Sequence, residues 1–380
     1  FDRELRHGKL KHLEYDSASQ TLTWRRPKAD SKTASQAPLF DQVACCDIAD
    51  VFRFVNDRCH LLAAMTPLQP RYTKQVADPD SLMAVILAQA MNHGNRALAE
   101  TSDIPYHILE ATAQQYLRTA TLQGANDRIS NAIAGLPIFP HYSFDLEALY
   151  GSVDGQKFGV ERPTLKARHS RKYFGRGKGV VAYTLLCNHV PLQGWLIGAH
   201  EFEAHHVFDL WYRNTSEIVP TAITGDMHSV NKANFAVLHW FGRRFEPRFT
   251  DLKAQFKQLY CVGDPARYDK ALIRPVGVID TQVIVDEKNH LDQIVATLAL
   301  KEMTQGTLIR KLCTYTAPNP TRRALFEFDK LIRSIYTLRY LRDPQLRFLL
   351  LDEINVVLSY AYLPLAEVLA DIDARHKGLH

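Results

Sequence analysis

Two aspartates stand where carboxylates could hold a divalent metal. Asp154 lies in Leu149-Tyr150-Gly151-Ser152-Val153-Asp154-Gly155-Gln156-Lys157-Phe158, and Asp226 in Pro220-Thr221-Ala222-Ile223-Thr224-Gly225-Asp226-Met227-His228-Ser229. Each closes an apolar run that reads as a strand. Carboxylates are the hard oxygen donors that magnesium or manganese prefers, and a pair of ions about 4 Å apart is what two-metal phosphoryl transfer requires. A strand-terminal aspartate also serves commonly as a turn or helix cap, so the pair by itself leaves both readings open.

The segment beside Asp154 points to a polyanion. Residues 157–178 carry Lys157, Arg162, Lys166, Arg168, Arg171, Lys172, Arg176 and Lys178 against the single acid Glu161, with Tyr173 and Phe174 among them. The whole chain is only +5, so this cationic density is local, as expected of a nucleic-acid contact. The competing reading is a solvated basic loop. Lys157, Lys166, Arg168, Arg171, Lys172, Arg176 and Lys178 are the candidate DNA-binding residues.

The elements that must position these groups follow from periodicity. Residues 147–153 read as a strand ending at Asp154. Val180–Leu186 and Gly194–Ala199 read as a hairpin around Asn188-His189-Val190-Pro191. Glu203–Asn214 reads as a helix, Val219–Thr224 as a strand ending at Asp226, Asn231–Phe241 as a helix, and Arg244–Phe249 as a short extended piece. The order β-β-β-α-β-α is that of a ribonuclease H-like domain, in which acids belong on the first strand and at the end of the fourth. The fold class is therefore α/β (mixed α+β), with a helical N-terminal region and a helical insertion. The expected divisions are an irregular segment 1–45, a helical region 46–140, the ribonuclease H-like core 141–250, an insertion 251–320 and C-terminal helices 321–380. Asp47 and Asp80 are the expected caps of the first helices. The helices around the turn at Ser102–Pro105 resemble a helix-turn-helix, although such a run is more often a plain helical domain. Ile279–Val285 reads as extended, and a long helix begins at Thr321.

Composition sets outer limits. A chain of 380 residues exceeds one small core. No apolar run reaches the roughly eighteen residues of a membrane span. The start, Phe1-Asp2-Arg3, has neither initiator Met nor signal-peptide pattern, which reads as the middle of a longer protein. The six cysteines lack Cys-x-x-Cys spacing and read as reduced thiols, Cys45-Cys46 included. His200, Glu201, Glu203, His205 and His206 have no His-Glu-x-x-His spacing, so a helix-start cluster is favoured over zinc. Gly175-Arg176-Gly177-Lys178-Gly179 precedes a strand rather than a helix, so it reads as a basic hairpin and not a phosphate loop. His228 either assists at Asp226 or caps the next helix.

Specific stretches then identify a family. Ser152–Phe158, Gly225–Asn231 and Gly242-Arg243-Arg244-Phe245-Glu246-Pro247-Arg248-Phe249-Thr250-Asp251-Leu252 occur in order, with Ser81–Ala84, Lys311-Leu312 and Arg333–Tyr336 around them. Over about residues 40–347 the chain resembles the catalytic region of Tn3-family replicative transposases. The resemblance implies a DDE-type transposase of bacterial cytoplasm, magnesium- or manganese-dependent nicking at transposon terminal inverted repeats, strand transfer into target DNA, and self-association in a transposition complex. Asp154 and Asp226 fall on the first two acids of the family's triad. The third belongs to an Asn-x-x-Glu on a helix after an Asp-Pro such as Asp343-Pro344. Here the matching residues are Asn355-Val356-Val357-Leu358, so Leu358 occupies the glutamate's place. Glu353, five residues earlier, lies about 140° away around a helix. Glu327 and Asp329 belong to the preceding helix. The resemblance fades after Arg347, where an expected polar segment turns apolar. Both an enzyme fragment and an inactive DNA-binding remnant fit this pattern. The prediction is a frameshift or truncation near codon 347: translating the encoding DNA in the other two frames should yield an Asn-x-x-Glu segment downstream, and its absence from both removes the explanation.

Overall fold

The hairpin that builds the sheet turns on Asn188 and His189, both left-handed at φ 46° and 66°. Two consecutive positive φ values match the right-handed strand twist that a two-residue hairpin needs. In the computed structural model, which describes residues 1–19, 21–24, 46–70, 77–143, 145, 148–161, 164–314, 318–347 and 350, this turn joins two strands of a six-stranded sheet. The strands are β1 (Tyr150–Val160), β2 (Arg168–His169), β3 (Lys178–Cys187), β4 (Val190–Gly198), β5 (Ala222–Gly225) and β6 (Arg244–Phe245). The path β2-β3-β1-β5-β6 carries β4 on β3. β1, β3 and β4 are antiparallel, whereas β5 lies parallel to β1 and β6 parallel to β5. This is the mixed, ribonuclease H-like arrangement that the element order predicts.

β1 does not stop at Asp154. It continues to Val160, because its ladder with β3 runs unbroken from Gly151↔Cys187 to Val160↔Lys178. What ends near Asp154 is the parallel ladder, whose last pair is Val153↔Gly225. Gly159 and Gly179 face each other across the extension. A side chain at Gly179 would overlap the ring of Phe174. That aromatic anchor fixes the basic turn Arg171–Lys178 to the sheet.

The region before the sheet comprises helices Ile48–Cys59, Pro79–Ala90, Gly94–Thr101, Tyr106–Tyr116 and Thr119–Ala134. They share an apolar cluster including Leu61, Met65, Leu82, Val85 and Leu109. The second helix is capped by Asp78, whose carboxylate accepts the Ser81 N–H at 3.0 Å. Asp80 is already helical, because Pro79 takes the first helical position. Helix Thr119–Ala134 docks on β4, where Gln123 and Asn126 donate to the carbonyls of Leu192 and Pro191, each at 2.9 Å. The reading of Ile279–Val285 as extended fails, because Asp280 caps a helix over Thr281–Asp286 through the Val283 N–H. Among the described residues the cysteines form no disulfide, and no helix is long and apolar enough to cross a membrane. Cys45 lies outside the described residues.

Helix Pro320–Arg342 braces the sheet's parallel side. Tyr336 donates its hydroxyl to the Pro247 carbonyl (2.6 Å) and Tyr340 to that of Phe249 (3.2 Å). Both rings pack on Phe249, at 5.4 and 5.2 Å. Edge-on aromatic pairs of this kind add about 0.5–1.5 kcal/mol each beyond area burial. The same helix buries Asp329, whose carboxylate accepts the Ala236 N–H (3.1 Å) at the start of helix Asn234–Trp240. Burial pushes the Asp329 carboxyl up to about 7, against the Ala236 and Phe235 N–H groups and Arg333, which pull it down. A raised folded-state value contributes stability that is present below the unfolded value and lost as pH rises through the folded one. Asp329→Asn keeps the acceptor without the charge. Thermal melts from about pH 4 to about pH 8 should therefore show the wild type losing stability relative to the variant as the pH rises. Parallel profiles for the two proteins would contradict the assignment.

Candidate metal and DNA site

The site begins with a register. Tyr150↔Ala222 through Val153↔Gly225 pair in parallel, so the next residue on each chain is Asp154 and Asp226. Side chains alternate along a strand, which places Tyr150, Ser152 and Asp154 on one face and Val153, Gly155 and Lys157 on the other. Asp226 leaves β5 as the cap of a short 3-10 turn. Its Oδ1 accepts the His228 N–H (2.8 Å) and its Oδ2 meets His228 Nδ1 (2.6 Å). His228 itself is exposed.

Asp154 is half-buried, and its carboxyl is pushed up to about 6. Burial is the main cause, and the negative charges of Asp226 and Glu203 add to it. The Gly155 N–H, which donates to Asp154 Oδ1 at 2.8 Å, and Lys157 oppose it. Two carboxylates crowded in a partly desolvated place repel one another, and a cation between them relieves that cost. The donor set fits a hard divalent ion with much of its hydration retained. Behind the acids lie Ser152 Oγ and Thr224 Oγ1. Both are fully buried and find no hydrogen-bond partner among the described residues.

Glu203 is the acid that sequence reading undervalued. It is buried over Gly155, where an added Cβ would overlap its carboxylate and come within 2.9 Å of Val181 Cγ1. Gly155 belongs to the face opposite Asp154, so Glu203 sits across the sheet from the Asp154 carboxylate. Its Oε1 pairs with Lys157 Nζ at 2.7 Å. Burial opposes the Lys157 charge, but the hydrogen bond and charge of Glu203 outweigh it and raise the ammonium's pKa. The signal for this pair was Gly155 itself, a glycine inside a strand, which marks close approach by another group.

A buried polar knot ties the Glu203 loop to the Asp226 loop. The Ala204 carbonyl accepts the side-chain amides of Asn231 and Asn234, each at 2.9 Å. Asn234 also donates to the Ser229 carbonyl (2.7 Å) and accepts from Gln305 (2.5 Å). Gln305 opens helix Gln305–Thr314, and its backbone N–H donates to buried Asp209 at 2.8 Å. Gln305 thus ties its helix to the Glu203 and Asp226 loops.

The candidate DNA contacts fall into two groups. Lys157 is paired with Glu203 and stacks over Tyr173 (4.7 Å). Lys166 donates to the Leu196 carbonyl (3.2 Å), and Arg168 to those of Leu165 and Ala167 (2.6 and 3.0 Å). Arg171, Lys172, Arg176 and Lys178 are exposed on the turn that Phe174 anchors, with Lys172 also over Tyr173 at 4.8 Å. None of these four has a carboxylate partner among the described residues. Arg162 lies outside them.

The histidine cluster is structural in its contacts. Glu201 accepts from the Gly198 N–H (2.9 Å) and pairs with His206 Nε2 (3.1 Å), which lowers its carboxyl to about 2, the His206 hydrogen bond being the main cause. Among the described residues no group of three His, Cys, Asp or Glu is arranged to hold a metal. Glu353 and Leu358 lie outside the described residues. Glu327 and Asp329 are both committed elsewhere: Glu327 accepts the Asp280 N–H (3.1 Å) and pairs with Lys330 (2.6 Å), and Asp329 caps a helix.

The Gly155 packing gives a test. Gly155→Ala must displace Glu203 from Lys157, and overpacking of this kind costs typically about 1–3 kcal/mol. Denaturant unfolding should show that loss. The Gly155→Ala/Glu203→Ala double variant should lose less than the sum of its singles; strict additivity would show that the two positions do not meet.

A profile of the Tn3 transposase DDE domain matches residues 50–363, extending past Arg347. The chain is 25% identical over 279 residues to the transposase of transposon gamma-delta from Escherichia coli K12, covering 72% of this chain and 27% of that protein. It is 27% identical to the transposase of Tn2501 from Escherichia coli, covering 70% and 26%. It is 25% identical to the transposase of Tn4556 from Streptomyces fradiae, covering 70% and 30%. The chain therefore spans under a third of the length of these relatives.

Proposed function

The chain belongs to the Tn3 transposase DDE-domain family, and from that premise we propose that it carries the phosphoryl-transfer centre of a replicative DNA transposase. The observation that carries the reading is the parallel register placing Asp154 and Asp226 side by side at the end of β5. Its substrates are then transposon terminal inverted repeats and target DNA, and it works in the cytoplasm, on DNA, within a self-associated complex.

Asp154 and Asp226 would hold magnesium or manganese. When bound, the ion supplies charge neutralisation and Lewis acidity for attack on a phosphodiester. The rest falls to the chain's own groups. Asp154, its carboxyl raised to about 6, holds a proton at mildly acidic pH, so proton and cation compete for the same oxygens. The exposed His228 imidazole fixes the rotamer of Asp226. Lys157 and Glu203 stiffen the strand that carries Asp154. Arg171, Lys172, Arg176 and Lys178 take phosphates on the anchored turn, with Lys166 and Arg168 at its base, and align the strand along β1.

A second reading rests on Leu358, which matches the third acid's place in the family pattern. It is an inactive transposase remnant that binds DNA. One experiment separates the two. Supercoiled plasmid is incubated with the chain with and without magnesium, beside Asp154→Ala and Asp226→Ala. The enzyme reading expects magnesium-dependent nicking reduced to background by either change. Salt-sensitive binding without nicking, with a log–log slope near 0.9 per phosphate contact, selects the remnant. Nicking that survives both changes refutes the assigned site.

A further inference from the structure

The segment after β6 runs on beside β5 beyond the assigned strand. The Glu246 N–H donates to the Ile223 carbonyl (2.8 Å) and the Arg248 N–H to that of Gly225 (2.9 Å). From Ala222↔Arg244 and Ile223↔Phe245, this continuation sets Glu246 beside Thr224 and Arg248 beside Asp226. Alternation puts Arg244, Glu246 and Arg248 on one face, and the Arg244 Nε–Glu246 Oε1 pair at 3.2 Å agrees. That face also bears Tyr150, whose hydroxyl donates to Glu246 Oε2, and in the next rungs Ser152 and Asp154.

The stretch holds three arginines, and two are occupied. Arg243 stacks over Trp211 at 5.1 Å. Arg244 pairs with Glu246 and with Asp145 (3.7 Å). Glu246, fully buried, is further held by Arg339 at 2.5 Å. Arg248 is half-buried, and no described residue offers its guanidinium a hydrogen bond or ion pair. Its planar fork suits two phosphate oxygens.

We propose that Arg248 binds a DNA phosphate next to the Asp154–Asp226 pair, positioning the backbone at the acids from the β6 side while the basic turn holds it from the β3 side. The assignment rests on the transposase reading, since it takes DNA as the ligand. Backbone contacts of this kind set register and are independent of sequence, so an arbitrary duplex is a sufficient probe.

The test titrates a fluorescein-labelled duplex of arbitrary sequence with the chain, at fixed magnesium and varied sodium chloride, for wild type, Arg248→Gln and Arg248→Lys, with a thermal melt of each. Arg248→Gln should weaken binding roughly tenfold and reduce the log–log salt slope by about 0.9, with an unchanged melting temperature. Arg248→Lys should keep the slope and lose part of the affinity, because a point charge replaces the fork. A lowered melting temperature with an unchanged slope would make Arg248 a structural residue and overturn the proposal. So would Arg248→Gln behaving as wild type. If the glutamine variant does not fold, Arg248→Met, which retains the apolar stem, is judged by the same slope. Wild type that shows no salt-dependent binding overturns the transposase reading together with this one, whereas wild type that binds beside an unaffected Arg248→Gln overturns this one alone.

Discussion

The parallel ladder from Tyr150↔Ala222 to Val153↔Gly225 is the constraint on which the site depends. Parallel strands cannot be joined by a tight turn, so β1 and β5 must be brought together by everything between them. The β3–β4 hairpin, the loop carrying Glu203 and helix Val207–Tyr212 make up that connection. A slip of one residue would turn Asp154 or Asp226 to the opposite face. Register is held where slips are most costly. Gly151 has Pro220 and Leu185 against its open side, Gly225 has Ser229 and Val153, and Val153 and Ile223 are buried.

The connection is also fixed by polar groups. Ala204 offers one carbonyl to two asparagine amides; Asn234 links that point to Ser229 and to Gln305. A buried network is stabilising when its members are satisfied and expensive when one is removed. The arrangement makes the Asp226 loop and the Glu203 loop a single rigid unit. The helices over Lys288–Ala299 and Gln305–Thr314 share the core as well: Leu291, Leu298, Leu308 and Ile309 lie in the same apolar cluster as Val153 and Ile223.

Much of this was legible in the chain. The strand order, the acids at the first strand and after the fourth, the hairpin turn and the long helix Pro320–Arg342 all follow from periodicity and turn chemistry. What was not legible is instructive. β1 reads as ending at Asp154 because its later residues alternate small and polar, Gly155-Gln156-Lys157 and then Gly159. Only the partner strand and the Phe174 ring lying on Gly179 make them a strand. Thr281–Asp286 carries β-branched residues, and its helix is set by the Asp280 cap and packing rather than by propensity. Glu203 was hidden by its neighbours: among His200, Glu201, His205 and His206 it looks like one member of a ligand cluster, whereas Glu201 serves His206 and Glu203 serves Lys157.

The face bearing the acids is polar through its depth. From Tyr150 it passes to Ser152, Thr224 and Glu246 and then to Asp154 and Asp226. Apolar residues at the middle rung would pack better, since two hydroxyls without partners among the described residues are a standing cost. At the outer rung the same reasoning applies to Asp154, whose charge burial disfavours. Folding alone would not select either. A bound cation would offset the carboxylate cost, because a desolvated carboxylate pair attracts a cation more strongly than a hydrated one. The cost of burying Asp154 beside Asp226 is the same electrostatic property by which the proposed site would hold a metal. The rigid register around them keeps the sheet from relaxing it away.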